Sequence, residues 1–131
     1  MSVTSVPVRF GSMNAAKVDV TFNPYEILQL RLAHPQKAIF LYAIVFGDVE
    51  PDAFRLTCLG NRDFDPFDVI IGEENVLFPW MIDYALVMPE DPLVFIATNL
   101  TASSQRFEAS FVYAQEARER AAEIRRKRRT V

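Results

Sequence analysis

Apolar and polar side chains alternate at several places in the first 113 residues of the chain. Leu28, Leu30 and Leu32 share one side of such a segment, while Gln29 and Arg31 share the other. Alternation with a period of two places successive side chains on opposite faces of a β-strand. We therefore predict strands that bury one face and expose the other. Two further segments have the same pattern, with the inward sets Phe54, Leu56, Cys58 and Phe107, Ala109, Phe111, Tyr113.

More continuous apolar segments lie between the alternating ones, and the longest runs from Ala38 to Phe46. A helix needs about 20 apolar residues to cross a bilayer, roughly twice the length of this run, so the run predicts a buried strand. Turn-forming pairs such as Asn23-Pro24, His34-Pro35 and Gly60-Asn61 separate the segments at short intervals. About eight short strands with such corners predict an all-β fold, either an antiparallel β-sandwich or a jelly roll.

The pattern changes after residue 113. Residues 114–131 are rich in Ala, Glu and Arg, which are strong helix formers, and Glu123 and Lys127 make a favourable pair four residues apart. The apolar positions of this segment form only a narrow stripe of small side chains, so the helix buries too little to be stable alone. We predict a sandwich domain over residues 1–113 and a basic helical arm over residues 114–131.

The two segments carry opposite charge. Residues 1–113 hold 7 Lys and Arg against 14 Asp and Glu, a net of −7, while residues 114–131 hold 7 against 3, a net of +4. An acidic body with a basic arm favours docking onto a complementary surface, so assembly is the first function to consider. The arm's predicted partner-binding residues are Arg118, Arg120, Arg125, Arg126, Lys127, Arg128 and Arg129. Nucleic acid is a second predicted partner, because such cations contact phosphates, whereas a merely solubilising tail is the plainer interpretation.

The residue inventory argues against an enzyme. His34 is the single histidine and precedes a proline, which favours a surface turn over a metal ligand or a catalytic base. Neither a P-loop nor a glycine-rich dinucleotide motif is present, and we predict no cofactor. Cys58 is the single cysteine, which excludes an internal disulfide, and the alternation predicts that it is buried. We predict no signal peptide, no membrane association and synthesis in a reducing cytoplasm.

Two weaker candidates for ligand binding remain. Asp48, Glu50 and Asp52 have the alternating spacing that lets an extended loop aim several oxygens at Ca²⁺, although solvated turns more often produce this pattern. Trp80 and Tyr84 lie in a segment rich in large side chains and could form a stacking platform for a sugar. A lone Trp in a small sandwich is more often a core residue between the sheets.

The segment from Met88 to Thr101, followed by the alternating strand through Tyr113, resembles the closing strands of small β-sandwich subunits in phage particles. The resemblance covers residues 77–113 and implies a virion component such as a capsid decoration, head-fibre base or minor capsid protein, oligomeric and without catalysis. Together with the opposite charges of body and arm, the resemblance predicts a non-enzymatic structural subunit that docks through its arm onto its own copies or other capsid subunits. The alternative is a carbohydrate- or receptor-binding sandwich module.

Overall fold

A computed structural model describes residues 4–11, 15–73, 76–77, 85–116, 123 and 126–127 of the 131-residue chain. Within these residues the chain forms eleven β-strands in two sheets. The strands of the first half are β1 (Thr4–Pro7), β2 (Arg9–Phe10), β3 (Ala15–Phe22), β4 (Ile27–Leu32) and β5 (Ala38–Phe46). The remaining strands are β6 (Phe54–Cys58), β7 (Phe67–Ile70), β8 (Val76–Leu77), β9 (Ala85–Val87), β10 (Leu93–Asn99) and β11 (Gln105–Glu116).

The first sheet has the order β1-β4-β10-β6-β7, and the second has the order β2-β3-β11-β5-β8, with β9 also paired to β5. All pairings are antiparallel except that of β1 with β4, which is parallel. The chain changes sheets between β1 and β2, so its N-terminal segment lies along one edge of both sheets. A register shift between Val112 and Tyr113 marks a bulge in the pairing of β11 with β5.

The core lies between the two sheets and is rich in phenylalanine. Phe54 of the first sheet packs edge-on against Phe22 and Phe107 of the second, with ring centroids 4.9 and 5.1 Å apart. Phe95 meets Phe111 across the same gap at 5.4 Å. Such tilted and T-shaped pairs match the negative face of one ring with the positive edge of the next. These contacts hold the sheets face to face and make the fold a sandwich.

The structure confirms the predicted all-β sandwich and the inward sets of its alternating strands. Leu28, Leu30 and Leu32 are buried, as are the inward residues of β6 and β11. Cys58 is also buried, and burial raises the pKa of its thiol to about 11, so it remains a thiol at neutral pH. None of the described helical positions belongs to a helix long and apolar enough to span a bilayer.

The predicted start of the helical arm is wrong. The last strand continues through Glu116, where the sequence pattern predicted helix from Ala114, because residues 113–116 pair with the beginning of β5. Tertiary pairing thus overrides the local helix propensity of these residues. No C-terminal helical arm is seen as a continuous element in the described residues, although Glu123, Arg126 and Lys127 have helical backbone and the Lys127 ammonium lies 3.3 Å from the Glu123 carboxylate. The rest of the arm lies outside the described residues.

Candidate functional site

Three loops meet at one end of the sandwich. Residues 23–26 join β3 to β4, residues 47–53 join β5 to β6, and residues 100–104 join β10 to β11. Backbone hydrogen bonds tie them together, since the amide of Tyr25 donates to Thr101 and the amide of Leu100 donates to Ala53. We call this region, with the first residue of β4, the Tyr25 end.

A buried asparagine organises the Tyr25 end. The Asn99 side chain is fully buried, and its amide nitrogen donates to the carbonyl oxygens of Asn23 at 3.0 Å and Ser103 at 2.8 Å. Its Oδ1 atom accepts hydrogen bonds from the backbone amide and the hydroxyl of Thr101. A buried amide with all of its partners satisfied fixes the loops that it joins. This end is therefore rigid despite consisting of loops.

Large apolar side chains project from this fixed frame into solvent. Tyr25 is 62% exposed, Ile27 is 46% exposed and Leu100 is 37% exposed. Tyr25 also has a backbone φ of 57°, in the left-handed region that residues other than Gly, Asn and Asp rarely adopt. Such a conformation costs on the order of 1 kcal/mol and persists only where the surrounding structure imposes it. An exposed tyrosine that is held under strain marks this end as a candidate binding surface.

The charge of the Tyr25 end is of one sign. Its three loops contain Glu26, Asp48, Glu50 and Asp52, and they contain neither Lys nor Arg. Glu26 accepts a hydrogen bond from the Asn23 amide at 3.0 Å, which closes the first loop. The remaining carboxylates are exposed. Exposed apolar side chains in loops that also carry carboxylates would attract a partner that presents cations beside an apolar surface.

Arg106 lies on the outer face of the second sheet, beside this end, and forms ion pairs with three carboxylates. Its guanidinium contacts Asp19 at 2.8 Å, Glu108 at 3.1 Å and Asp48 at 3.2 Å. The hydrogen bonds from Arg106 lower the pKa of the Asp19 carboxyl, and the same carboxylate raises the pKa of Arg106. All of these groups are substantially exposed to solvent, so the cluster contributes little to stability.

The structure does not assemble the predicted calcium site. Asp48 turns toward Arg106, and Asp52 occupies a turn with a φ of 64°. Among the residues that the structure describes, no group of three or more His, Cys, Asp or Glu side chains is arranged to hold a metal ion. Glu50 and Asp52 are thus exposed turn residues at the Tyr25 end.

Other predicted site residues fall outside the described part of the chain. Trp80 and Tyr84 belong to this group, so the stacking platform stays a prediction. The same holds for Arg118, Arg120, Arg125, Arg128 and Arg129 of the arm, whereas Arg126 and Lys127 are exposed helical positions. Binding of the arm to nucleic acid, and formation of a homo-oligomer, therefore also remain predictions.

The sequence patterns do not identify Tyr25 and Asn99, the two residues that define the Tyr25 end. The Asn23-Pro24 pair predicts only a turn, although the aromatic that follows it at position 25 stands out among loop residues. The Asn99-Leu100-Thr101 segment matches a glycosylation motif, which says nothing of a buried side chain. An Asn followed two residues later by Thr at the end of a strand is also a pattern that supports side-chain hydrogen bonding to a turn, and this signal could have identified Asn99.

No model of a protein family matches this chain, and no curated protein matches it. Among solved structures, the chain is similar to the crystal structure of Aeromonas hydrophila PliG, a periplasmic inhibitor of g-type lysozyme. The two share 11% identity with a TM-score of 0.46, over 87% of this chain and 97% of that one. This likeness is too low to transfer a function.

The predicted function as a phage virion subunit needs correction. The structural neighbour is a lysozyme inhibitor and not a capsid protein, and neither of the other comparisons supplies a viral relative. The prediction depends on the order of turns and alternating strands over residues 77–113, and such strands occur in β-sandwiches of many functions. The assignment as a capsid-associated subunit is therefore withdrawn.

Proposed function

We propose that this protein is a non-catalytic binding protein that recognises a basic surface of a partner protein through its Tyr25 end. The observation that carries the proposal is Tyr25, an aromatic side chain that is 62% exposed on a backbone with a φ of 57°. Glycine would relieve this strain, so the presence of tyrosine indicates a use for its side chain.

Two further features support this function. Tyrosine is among the residues that contribute most binding energy at protein interfaces, and its ring attracts cations such as the guanidinium of arginine. The surrounding loops carry carboxylates and neither Lys nor Arg, so they complement a basic partner and increase its rate of association. The hydrogen bonds of Asn99 hold the loops in place before binding, which reduces the entropy that association would otherwise cost.

The helical arm over residues 117–131 is a separate part of the proposal. We infer that it forms a helix when a partner orders it, since its sequence has high helix propensity and its predicted apolar stripe is narrow. Recognition through the Tyr25 end does not depend on this arm.

The test begins with a photo-crosslinking benzoylphenylalanine at position 100, followed by identification of the crosslinked proteins and affinity measurements by calorimetry. Tyr25→Ala should weaken binding of the identified partner by about tenfold or more, as expected for a hot-spot residue. Tyr42→Ala is the matched control, because Tyr42 is 47% exposed in strand β5, away from the loops. Binding should also weaken as salt increases. Equal effects of the two substitutions, or a partner with an acidic surface, would contradict the proposal.

A further inference from the structure

Strand β3 is paired along its whole length on one side only. It pairs with β11 from Ala15 to Phe22, whereas β2 pairs with it only at Ala16 and Lys17. Beyond Lys17 the described residues provide no neighbour on that side. Within the described part of the chain, the second sheet therefore has an open edge over residues 18–22, and open edges are templates for the addition of another strand.

The backbone groups that face this open edge can be identified from the pairing. The amide of Gly11 donates to the carbonyl of Ala15 at 3.1 Å, so residue 15 points its backbone groups toward the β2 side. In an antiparallel strand these groups alternate, which directs those of Asp19 and Thr21 to the same side. Pro7 would be the next residue to face Asp19, but it has no N–H and pairs instead with Arg31 of the first sheet.

Two cations stand at the point where the open edge begins. Arg9 and Lys17 are direct partners in the ladder. Like charges directly opposite each other destabilise a sheet. Neither side chain forms an ion pair within the described part of the chain. This pair would be stabilised by an anion between the two groups.

A cavity of about 450 Å³ lies along the same edge. Its volume falls in the range of roughly 300–1,000 Å³ that is typical of ligand pockets. Asp19 also lines the cavity, and its carboxylate lies 2.8 Å from the Arg106 guanidinium. This ion pair reduces the repulsion between Asp19 and a bound anion. The cavity therefore combines apolar walls with two cations. Its lining residues are Val6, Arg9, Lys17, Val18, Asp19 and Val20.

We propose that this edge binds an extended acidic peptide segment, which adds to the second sheet as a further strand beside β3. Its backbone pairs with Asp19 and Thr21, one of its apolar side chains enters the cavity, and a carboxylate lies between Arg9 and Lys17. Backbone pairing then gives affinity, while the cavity and the cations give specificity. The site is distinct from the Tyr25 end, since it takes an acidic ligand and uses other residues.

The experiment uses the full chain and a random octapeptide library displayed for selection. Enriched peptides should alternate apolar residues and contain Asp or Glu. The best synthetic peptide, fluorescently labelled, is then titrated by anisotropy. Combined Arg9→Ala and Lys17→Ala substitution should weaken its binding by about tenfold or more. Arg62→Ala is the matched control, because Arg62 lies in the loop between β6 and β7, at the opposite edge of the first sheet.

The backbone contribution is tested from both partners. Thr21→Pro removes an edge-facing N–H without removing a bond to β11, and should abolish binding. N-methylation of alternate amides of the peptide should have the same effect, and it leaves the protein unchanged if the proline variant does not fold. The proposal is overturned if no acidic peptide is enriched, or if binding survives either the loss of the cations or the methylation.

Two controls distinguish this site from the Tyr25 end and from self-association. Tyr25→Ala should leave peptide binding unchanged, so failure of either site can be told apart from failure of the other. The free protein should remain monomeric in sedimentation at the concentrations used. A dimer that dissociates on Thr21→Pro substitution would instead identify a second copy of the chain as the occupant of the edge, and would overturn the peptide proposal.

Discussion

Each end of the sandwich has a loop residue with a positive backbone φ, but the two residues are of different types. At the end opposite Tyr25, Gly60 adopts a φ of 76° in the loop between β6 and β7. At the Tyr25 end, a tyrosine adopts a φ of 57° in the loop between β3 and β4. Glycine has no steric penalty in this region, whereas tyrosine has one. The first end follows local preference and the second departs from it, which is the pattern expected where a site is functional.

Both ends are nevertheless fixed by an asparagine in a similar way. The Asn61 amide donates to the carbonyls of Leu86 and Asp91, and its Oδ1 accepts from the amides of Asp63 and Phe64. Asn99 makes a comparable set of bonds at the Tyr25 end. Loop rigidity is therefore common to the two ends. The two ends differ in the charged residues of their loops. The loops of the Tyr25 end carry carboxylates and neither Lys nor Arg, whereas the opposite end has charges of both signs.

The largest expected effect concerns Gly60. A Cβ at this position would lie 2.7 Å from the carbonyl oxygen of Phe64, on a backbone with positive φ. Gly60→Ala should therefore destabilise the fold by about 2–3 kcal/mol, measured by urea denaturation. Gly72→Ala is the control, because its nearest atom lies 4.0 Å away and its φ is not in the left-handed region. A similar loss in both variants would show that the conformation of Gly60 is not the cause.

The two asparagines should differ in how much they stabilise the fold. Asn99→Ala removes the two hydrogen bonds that its amide donates to the carbonyls of Asn23 and Ser103, and the two that its Oδ1 accepts from Thr101. Because the Asn99 side chain is fully buried, we expect a loss of about 2 kcal/mol. Asn61→Ala should cost about half of that, because Asn61 is only half-buried and water can replace its side chain. Denaturation of both variants measures the difference. A larger loss for Asn61 would refute this ranking.

The smallest effect has the opposite sign. Tyr25→Gly should stabilise the free protein by up to about 1 kcal/mol, because it removes the strain at positive φ. The same substitution should weaken binding of the partner, which would link the strain to function. Tyr42→Gly should instead destabilise the protein, because glycine weakens the interior of a strand such as β5. Thermal denaturation compares the two, and destabilisation by Tyr25→Gly would remove the strain argument.

Local patterns were sufficient to predict which side chains of several strands are buried. The alternation around Leu30, Leu56 and Phe107 identifies the buried face of their strands correctly. In a sandwich of two sheets, each strand packs one face on the core and exposes the other. The same reasoning failed at residues 114–116, where the helix-forming sequence is held in β11 by pairing with β5. It also missed the Tyr25 end, because no short pattern shows that three separate loops meet around Asn99.

The sequence by itself determined the layers of this protein, since hydrophobic periodicity is a property of neighbouring residues and decides which face of a strand leaves water. The tertiary structure alone decided where chemistry is concentrated. It placed Arg9 opposite Lys17 on neighbouring strands of the second sheet, and it joined Tyr25 to the loop of Thr101. Residues 25 and 101 are distant in the chain, and their proximity depends on the order of strands in the sheets, which local periodicity does not encode.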